Sequence, residues 1–221
     1  MHSDAISRFF GGTMGSGDTF PALENYHIKD DDVNNLKNFY ERISPILPPI
    51  FYRLDGGQED HISIAYNRYS DALLQSGIIE RRIANAIMGL EALYFKPSGE
   101  QQELIYRLGM RVAKVFGILS LNPIHVKRAI KDAYGIRSSY AHGGHTSAKE
   151  KNKIAAKYNG DIKNLLHLVL DYLRVSIIIS MTIPQKKENF IEIIDNALID
   201  ETANQHLNSI LKPLKDILKI C

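Results

Sequence analysis

Apolar side chains recur every three or four residues along most of this chain, and this spacing restricts its fold more than any other feature. Ile62, Tyr66, Tyr69 and Leu73, for example, mark one face of a helix over about 59–76. No segment alternates polar and apolar residues as a strand would, and the breaks between helices are short. The pattern therefore predicts an all-α antiparallel helical bundle.

The individual helices can be placed by their apolar faces and by the proline and glycine residues between them. They are predicted at about 30–43, at 59–76, along Ile83–Tyr94, Leu104–Leu119 and Ile124–Ile136, at 151–183, and as one or two short helices within 188–219, split at Lys212-Pro213.

A chain of 221 residues, 44% of them hydrophobic, suits one domain with a sizeable core and appendages. We expect an N-terminal arm and short helix over 1–57, a helical core over 58–184 and a C-terminal helical appendage over 185–221. The single cysteine, Cys221, allows no intramolecular disulfide. Because the N-terminus also lacks the pattern of a signal peptide, we expect a cytoplasmic protein.

The most apolar window runs over 164–183 and is long enough to raise the question of a membrane span. It contains His167, Asp171 and Arg174, which are costly at the centre of a bilayer. We therefore predict a buried bundle helix here and no membrane association. The apolar residues between Val175 and Ile179 exceed what one helix face needs, so part of this surface is expected to meet a neighbouring subunit.

Positive charge is concentrated in the middle of the chain. Residues 100–163 carry 12 Lys and Arg against 5 Asp and Glu, a net charge of +7, although the whole chain carries only +2. A basic segment favours binding of a polyanion such as RNA, but a set of solvated helix faces gives the same composition. The residues that we assign to RNA binding are Arg107, Lys114, Lys127, Arg128 and Lys131.

Arg137 and His142 lie five residues apart near the end of the helix in this basic segment. A guanidinium can neutralise a phosphate, and an imidazole can move a proton near neutral pH. Metal-independent RNA cleavage needs both capacities. On a continuous helix the two side chains would lie about 140° apart, so they converge only if the helix ends between them. Gly143-Gly144 is a plausible end, while a helix-capping His beside a surface Arg is the alternative interpretation.

The order of short motifs around this pair resembles the HEPN superfamily, in particular its Apea-like branch. The motifs are Leu90-Glu91-Ala92-Leu93, Arg107 to Arg111, and Tyr134 to Gly143, which contains the family's Arg-x4-His pattern at Arg137 and His142. The resemblance covers about residues 80–145 in detail. It implies an all-helical homodimer, often a metal-independent ribonuclease of antiviral or toxin systems, with a protein regulator or a larger defence assembly as further partners.

The resemblance gives roles to the residues of the motif. Arg137 and His142 would be catalytic, and Glu91 would orient one of them from the neighbouring helix; the remaining supporting residues would be Arg111, Ser138 and Tyr140. A structural ion pair with Arg111 or Arg137 is the alternative role for Glu91. In the cleavage hypothesis, the ribose 2′-OH attacks the phosphate and leaves a 2′,3′-cyclic phosphate.

No metal or other cofactor is expected. His142 and His145 are spaced like a metal pair, but no cysteine lies nearby and no acidic residue lies between 133 and 149 to complete a zinc site. Some HEPN domains are inactive, so two alternatives to a ribonuclease remain open. One is a non-catalytic module that binds RNA, a nucleotide or a partner protein, and the other is a structural dimerisation domain.

Overall fold

The computed structural model describes residues 30–46, 60–74, 78–96, 103–144 and 146–218, which form nine α-helices and no strand. The predicted all-α bundle is therefore confirmed. Most of the N-terminal region predicted over 1–57 lies outside the described residues, as do His145 and Cys221. The helices are α1 (Asp30–Ile43, followed by a 3-10 turn at Ser44–Ile46), α2 (His61–Leu74), α3 (Ile79–Tyr94), α4 (Leu104–Ile118), α5 (Pro123–Ala141), α6 (Ala148–Ala155), α7 (Ile162–Thr182), α8 (Lys187–Ala197) and α9 (Glu201–Leu218).

The chain divides into two compact units, Met1–Asn38 and Phe39–Cys221. In the first unit, α1 begins with Asp30, Asp31 and Asp32. Carboxylates in the first turn of a helix are stabilised by the positive end of the helix dipole. This position gives the three aspartates a structural role. The second unit contains the remaining helices and the hydrophobic core.

Helix α3 lies at the centre of the second unit and packs against α2, α4, α5, α7 and α8. Its side chains are buried on almost every side, and Ile83, Ile87 and Leu90 are fully inaccessible to solvent. At Gly89 the Leu173 side chain of α7 packs directly on the backbone of α3, because an added Cβ would lie 2.6 Å from Cδ2 of Leu173. The core thus fixes α3, which carries Glu91, against its neighbours.

Helix α7 is the one described helix that is long and apolar enough to cross a membrane, and 61% of its most apolar window is buried inside the protein. It packs against α2, α3, α5 and α6 as a core helix does. Val175, Ile177, Ile178 and Ile179 are at most 7% exposed. The expectation that this apolar stretch faces a neighbouring subunit was therefore wrong, because the chain's own helices cover it.

The single helix predicted over 151–183 is two helices, α6 and α7. Asn159 and Gly160 adopt positive φ angles of 53° and 79°, which a continuous helix cannot contain. The Asp161 side chain then accepts a hydrogen bond of 2.8 Å from the backbone N–H of Lys163 and caps the start of α7. The apolar period runs through this turn, so the sequence pattern hid the break.

The break predicted at Lys212-Pro213 was also wrong. Pro213 lies inside α9, and the chain turns before it, at 198–200. Asp200 caps α9 by accepting a hydrogen bond of 2.6 Å from the backbone N–H of Ala203. Phe190 and Ile194 of α8 and Leu207 of α9 belong to the main core, so the region predicted as an appendage is packed into the bundle.

Candidate functional site

Helix α5 ends just before Gly143-Gly144, the stop that the sequence indicates. Ala141 is its last residue, His142 is the C-cap, and Gly143 follows with a φ angle of 70°. The Gly143 N–H donates to the Tyr140 carbonyl at 3.1 Å and the Gly144 N–H to the Ser139 carbonyl at 2.9 Å. This pair of bonds is the Schellman motif, which closes a helix through a left-handed glycine.

Arg137 is held in place by two residues of the α3–α5 interface. Its Nη2 atom lies 3.0 Å from Oε2 of Glu91, which stands on α3. Its guanidinium carbon lies 5.5 Å from the centre of the Tyr134 ring, within the range of a cation–π interaction. The Arg137 side chain is 27% exposed and that of Glu91 is 14% exposed. Of the two partners predicted for Glu91, the structure therefore shows Arg137.

Tyr134 connects the two charged groups. It is 5% exposed, and burial, followed by the negative charge of Glu91 and a hydrogen bond to it, raises the pKa of the Tyr134 phenol to about 12. The phenol therefore stays protonated and donates to the carboxylate, which also binds Arg137. Within the described residues, Nε of Arg137 is buried without a hydrogen-bond partner. The guanidinium is oriented, but its hydrogen-bonding capacity is only partly used.

His142 presents an exposed imidazole at the capped end of α5. Its backbone N–H donates to the Ser138 carbonyl at 3.2 Å, and this bond holds the His142 backbone in place. The imidazole makes no hydrogen bond or ion pair with any other described residue, Arg137 included. Because His142 still makes this helical hydrogen bond, the helix does not bring its imidazole to Arg137, and no hydrogen bond joins the two side chains within one chain.

A groove lies between α4 and α5, and Tyr134 is one of its lining residues. It has a volume of about 600 Å³, and its lining includes Tyr106, Lys127, Lys131 and Tyr134. The Nζ atom of Lys127 lies 4.8 Å above the centre of the Tyr106 ring. Lys127, Lys131 and Tyr134 are four and three residues apart and share one face of α5. We call this surface the α4–α5 groove; through Tyr134 it reaches Arg137.

Arg111 does not take part in this surface, which corrects its predicted supporting role. It is 2% exposed, and its Nε and Nη2 atoms lie 2.7 Å from the two carboxylate oxygens of Asp195 on α8. Its Nη1 atom donates to the Tyr94 carbonyl at 2.7 Å. A cation that is so deeply buried cannot contact a phosphate of RNA. Arg111 instead ties α4 to α8 and to the end of α3.

The other predicted residues fall on different surfaces. Arg107 is exposed on α4, and Lys114 is half-buried on the same helix. Arg128 lines another groove, between α5 and α7. Lys127 and Arg128 are adjacent in sequence, but successive residues of a helix point to different surfaces. Ser138 is half-buried, whereas Tyr140 is 36% exposed near the end of α5. The structure therefore pairs Glu91 with Arg137 and places Lys127 and Lys131 in the α4–α5 groove, with Tyr134 between the two groups.

Two functional candidates were not among the residues assigned to the site. They are Tyr134 and Tyr106. Tyr106 is 54% exposed and belongs to the α4–α5 groove. Its partner, Lys127, comes from the next helix, so only the packing of α4 on α5 reveals the pair.

The described residues contain no group of three or more His, Cys, Asp or Glu side chains that could hold a metal ion. His145, the second member of the spacing that suggested a metal pair, lies outside the described part of the chain.

Comparison with known proteins returned no match among family profiles, curated proteins or solved structures. The resemblance to HEPN domains therefore stays a prediction that rests on the residues around Arg137 and His142.

Proposed function

We propose that this chain is a metal-independent endoribonuclease that acts through Arg137 and His142, as in the HEPN domains that it resembles. The observation that carries the proposal is the anchoring of Arg137. Glu91 and Tyr134 orient a partly exposed guanidinium beside the groove that Tyr134 lines, five residues before an exposed imidazole at the same helix end. A pre-oriented cation loses little entropy when it binds a phosphate.

The proposed reaction uses the ribose 2′-hydroxyl as the nucleophile. An imidazole of His142 accepts its proton while the 2′ oxygen forms a bond to phosphorus, and the bond from phosphorus to the 5′ oxygen of the next nucleotide breaks. The leaving oxygen takes up a proton, so the products are a 2′,3′-cyclic phosphate and a 5′-hydroxyl. Arg137 stabilises the extra negative charge on the phosphoryl oxygens. The α4–α5 groove holds the neighbouring nucleotides.

A homodimer supplies what one chain lacks. The reaction needs one group that removes a proton and one that donates a proton, and each chain offers a single His142 beside Arg137. A two-fold interface would bring both copies of the motif to one cleft and double the positive charge there. The proposed setting is a cytoplasmic defence or toxin system.

Non-catalytic RNA binding is the second candidate function, and one observation favours it. Arg137 already shares an ion pair with Glu91 and has no contact with His142 in the described structure. An arginine in this state can bind a phosphate without assisting its transfer. In this case the α4–α5 groove and Arg137 would bind RNA, and His142 would only cap α5.

Incubation with RNA in the presence of EDTA separates the two functions. We expect the purified protein to cut a single-stranded RNA under these conditions and to leave DNA of the same sequence intact, because DNA lacks the 2′-hydroxyl. Binding of the RNA without any cut would support the non-catalytic module. Cleavage that appears only after Mg²⁺, Mn²⁺ or Zn²⁺ is added would contradict the proposed mechanism.

A further inference from the structure

Helix α1 carries apolar side chains that are exposed in a single chain. Val33, Leu36 and Tyr40 are three and four residues apart, so they lie along one side of the helix. Their exposed fractions are 52%, 68% and 59%. We call these three residues the α1 stripe. A helix of 14 residues is marginally stable in water unless its apolar side packs against another surface.

Acidic residues border the α1 stripe. On an ideal helix, Asp30 and Asp32 lie on opposite sides of the stripe, at its N-terminal end. Residues 30–43 carry four Asp and Glu against two Lys and Arg, and residues 1–60 carry 10 against 5, a net charge of −5. A surface that complements α1 must therefore be both apolar and basic.

The exposed part of the α4–α5 groove has both properties. Ile105 and Tyr106 line the groove from α4 and are 40% and 54% exposed. Lys127 and Lys131 line it from α5. Ile124 lies about one helical turn before Lys127 on the same side of α5, and it is 67% exposed. Apolar side chains that a partner can cover thus lie next to two cations.

The two surfaces also agree in charge and in length. Lys127 and Lys131 have no ion pair with another described residue, and Glu103 is the acidic residue in the described lining of the groove. The α1 stripe runs over seven residues, and Ile124 and Lys131 are also seven residues apart, so each surface is about 10 Å long.

The exposed fractions of both surfaces are those of a single chain, so a second chain is the partner that can cover them. We propose that α1 of one copy docks into the α4–α5 groove of a second copy. The α1 stripe covers Ile105, Tyr106 and Ile124, and the acidic first turn of α1 lies near the two lysines of the groove. A two-fold axis makes this contact reciprocal, with each copy giving one helix and receiving one.

Docking of α1 also gives the protein a way to restrain itself. The α4–α5 groove is the surface proposed to hold RNA, and an acidic helix in this groove excludes a polyanion from it. RNA must therefore displace α1 before it can reach Arg137. This regulatory consequence rests on the proposed function, whereas the docking itself does not.

Paramagnetic NMR of a mixed sample tests the docking in the absence of RNA. One copy is the Asn35→Cys, Cys221→Ser chain with a nitroxide on α1, at an exposed position away from the α1 stripe. The other copy is the unmodified chain enriched in nitrogen-15. We expect the amide signals of Ile105, Tyr106 and Lys131 in the enriched copy to lose most of their intensity.

Substitutions in the nitroxide copy show whether the α1 stripe makes the contact. Leu36→Asp should restore the lost signals, because it places a charge in the apolar contact. Leu74→Asp makes the same change at an exposed position on α2 and should restore nothing. Groove signals that keep their intensity, or a loss that Leu36→Asp does not reverse, would overturn the proposal. So would a loss seen only when one chain carries both labels, since α1 would then occupy the groove of its own chain.

RNA binding tests the regulatory consequence separately. In the His142→Ala chain, which leaves RNA intact, Leu36→Asp should lower the dissociation constant for RNA about fivefold or more, within the usual range of coupling between two ligands. Leu74→Asp should leave it unchanged. An unchanged RNA affinity in a chain whose α1 docks would contradict the regulatory consequence and would remove the α4–α5 groove from the path of the RNA.

Discussion

The orientation of Arg137 rests on contacts with α3 and with its own helix. Glu91 lies in the last turn of α3 and meets Arg137 at 3.0 Å, while Tyr134 precedes Arg137 by one helical turn on α5. The two partners restrict a long side chain that would otherwise sample many rotamers. The structure therefore gives Arg137 one defined direction, next to the Tyr134 ring that lines the α4–α5 groove.

Arg137→Lys should separate catalysis from binding. Lysine keeps the positive charge but loses the planar fork that contacts two phosphate oxygens. We expect the single-turnover cleavage rate to fall by roughly 10²–10³-fold, as for loss of one transition-state donor. The dissociation constant for RNA should rise much less.

The control for this prediction is Arg81→Lys, which makes the same change at an exposed position on α3 and should alter neither quantity. If the RNA affinity of Arg137→Lys falls as far as its cleavage rate, Arg137 only positions the RNA.

The pairing of Glu91 with Arg137 was predictable, because each residue belongs to a short motif. The sequence could not separate the role of Arg111 from that of Arg137, because both arginines lie in the basic segment. The difference arises from tertiary packing, which buries Arg111 against Asp195, 84 residues later in the chain. Single-sequence reasoning has no access to such a distant partner, and it missed the Tyr106–Lys127 contact for the same reason.

At the scale of the helices, the end of α5 determines where His142 stands. Gly143 with its φ angle of 70° permits the two closing hydrogen bonds, and the helix stops one residue before His142. This boundary was predictable, because paired glycines after a helical period are a strong stop signal. The break at Asn159-Gly160 carries a similar signal, but there the apolar period continues across it, and the pattern favoured one long helix.

Two glycine substitutions on α5 test this account of the helix end. Gly143→Ala forces a Cβ into the left-handed region and should lower the free energy of unfolding by about 1 kcal/mol. Gly135 lies inside α5 with nothing within 4 Å of an added Cβ, so Gly135→Ala should raise it by about 0.5–1 kcal/mol. Urea denaturation measures both changes. Equal effects of the two substitutions would mean that the left-handed turn does not close α5.

At the scale of the whole molecule, the helical class and most helix positions follow from the apolar period, because burial of one face sets that period. The apolar period does not show which surface a second chain could contact. The surplus of apolar residues favoured the stretch Val175–Ile179 as the surface for a second chain. Helix α7 is buried on more than one face, however, and the chain's own helices cover these residues. The proposed dimer would therefore use other surfaces, and the end of α5 near Tyr140, which is 36% exposed, is a candidate.

The proposed mechanism predicts a homodimer in solution. Light scattering at micromolar concentration should give twice the 25.0 kDa mass of one chain. Mixing two inactive proteins, Arg137→Ala and His142→Ala, should then restore part of the cleavage activity if the two subunits share one cleft. A strict monomer that nevertheless cuts RNA would rule out the composite site.

The most direct test of the central claim is mass spectrometry of the RNA products formed in EDTA by the unmodified protein and by His142→Ala. The account predicts 2′,3′-cyclic phosphate and 5′-hydroxyl ends from the unmodified protein. It also predicts a rate roughly 10²–10⁴-fold lower for His142→Ala, as expected for loss of a general acid or base. Circular dichroism should show an unchanged helical content, since His142 is exposed. Undiminished cleavage by His142→Ala, or products with 3′-hydroxyl and 5′-phosphate ends, would contradict the account.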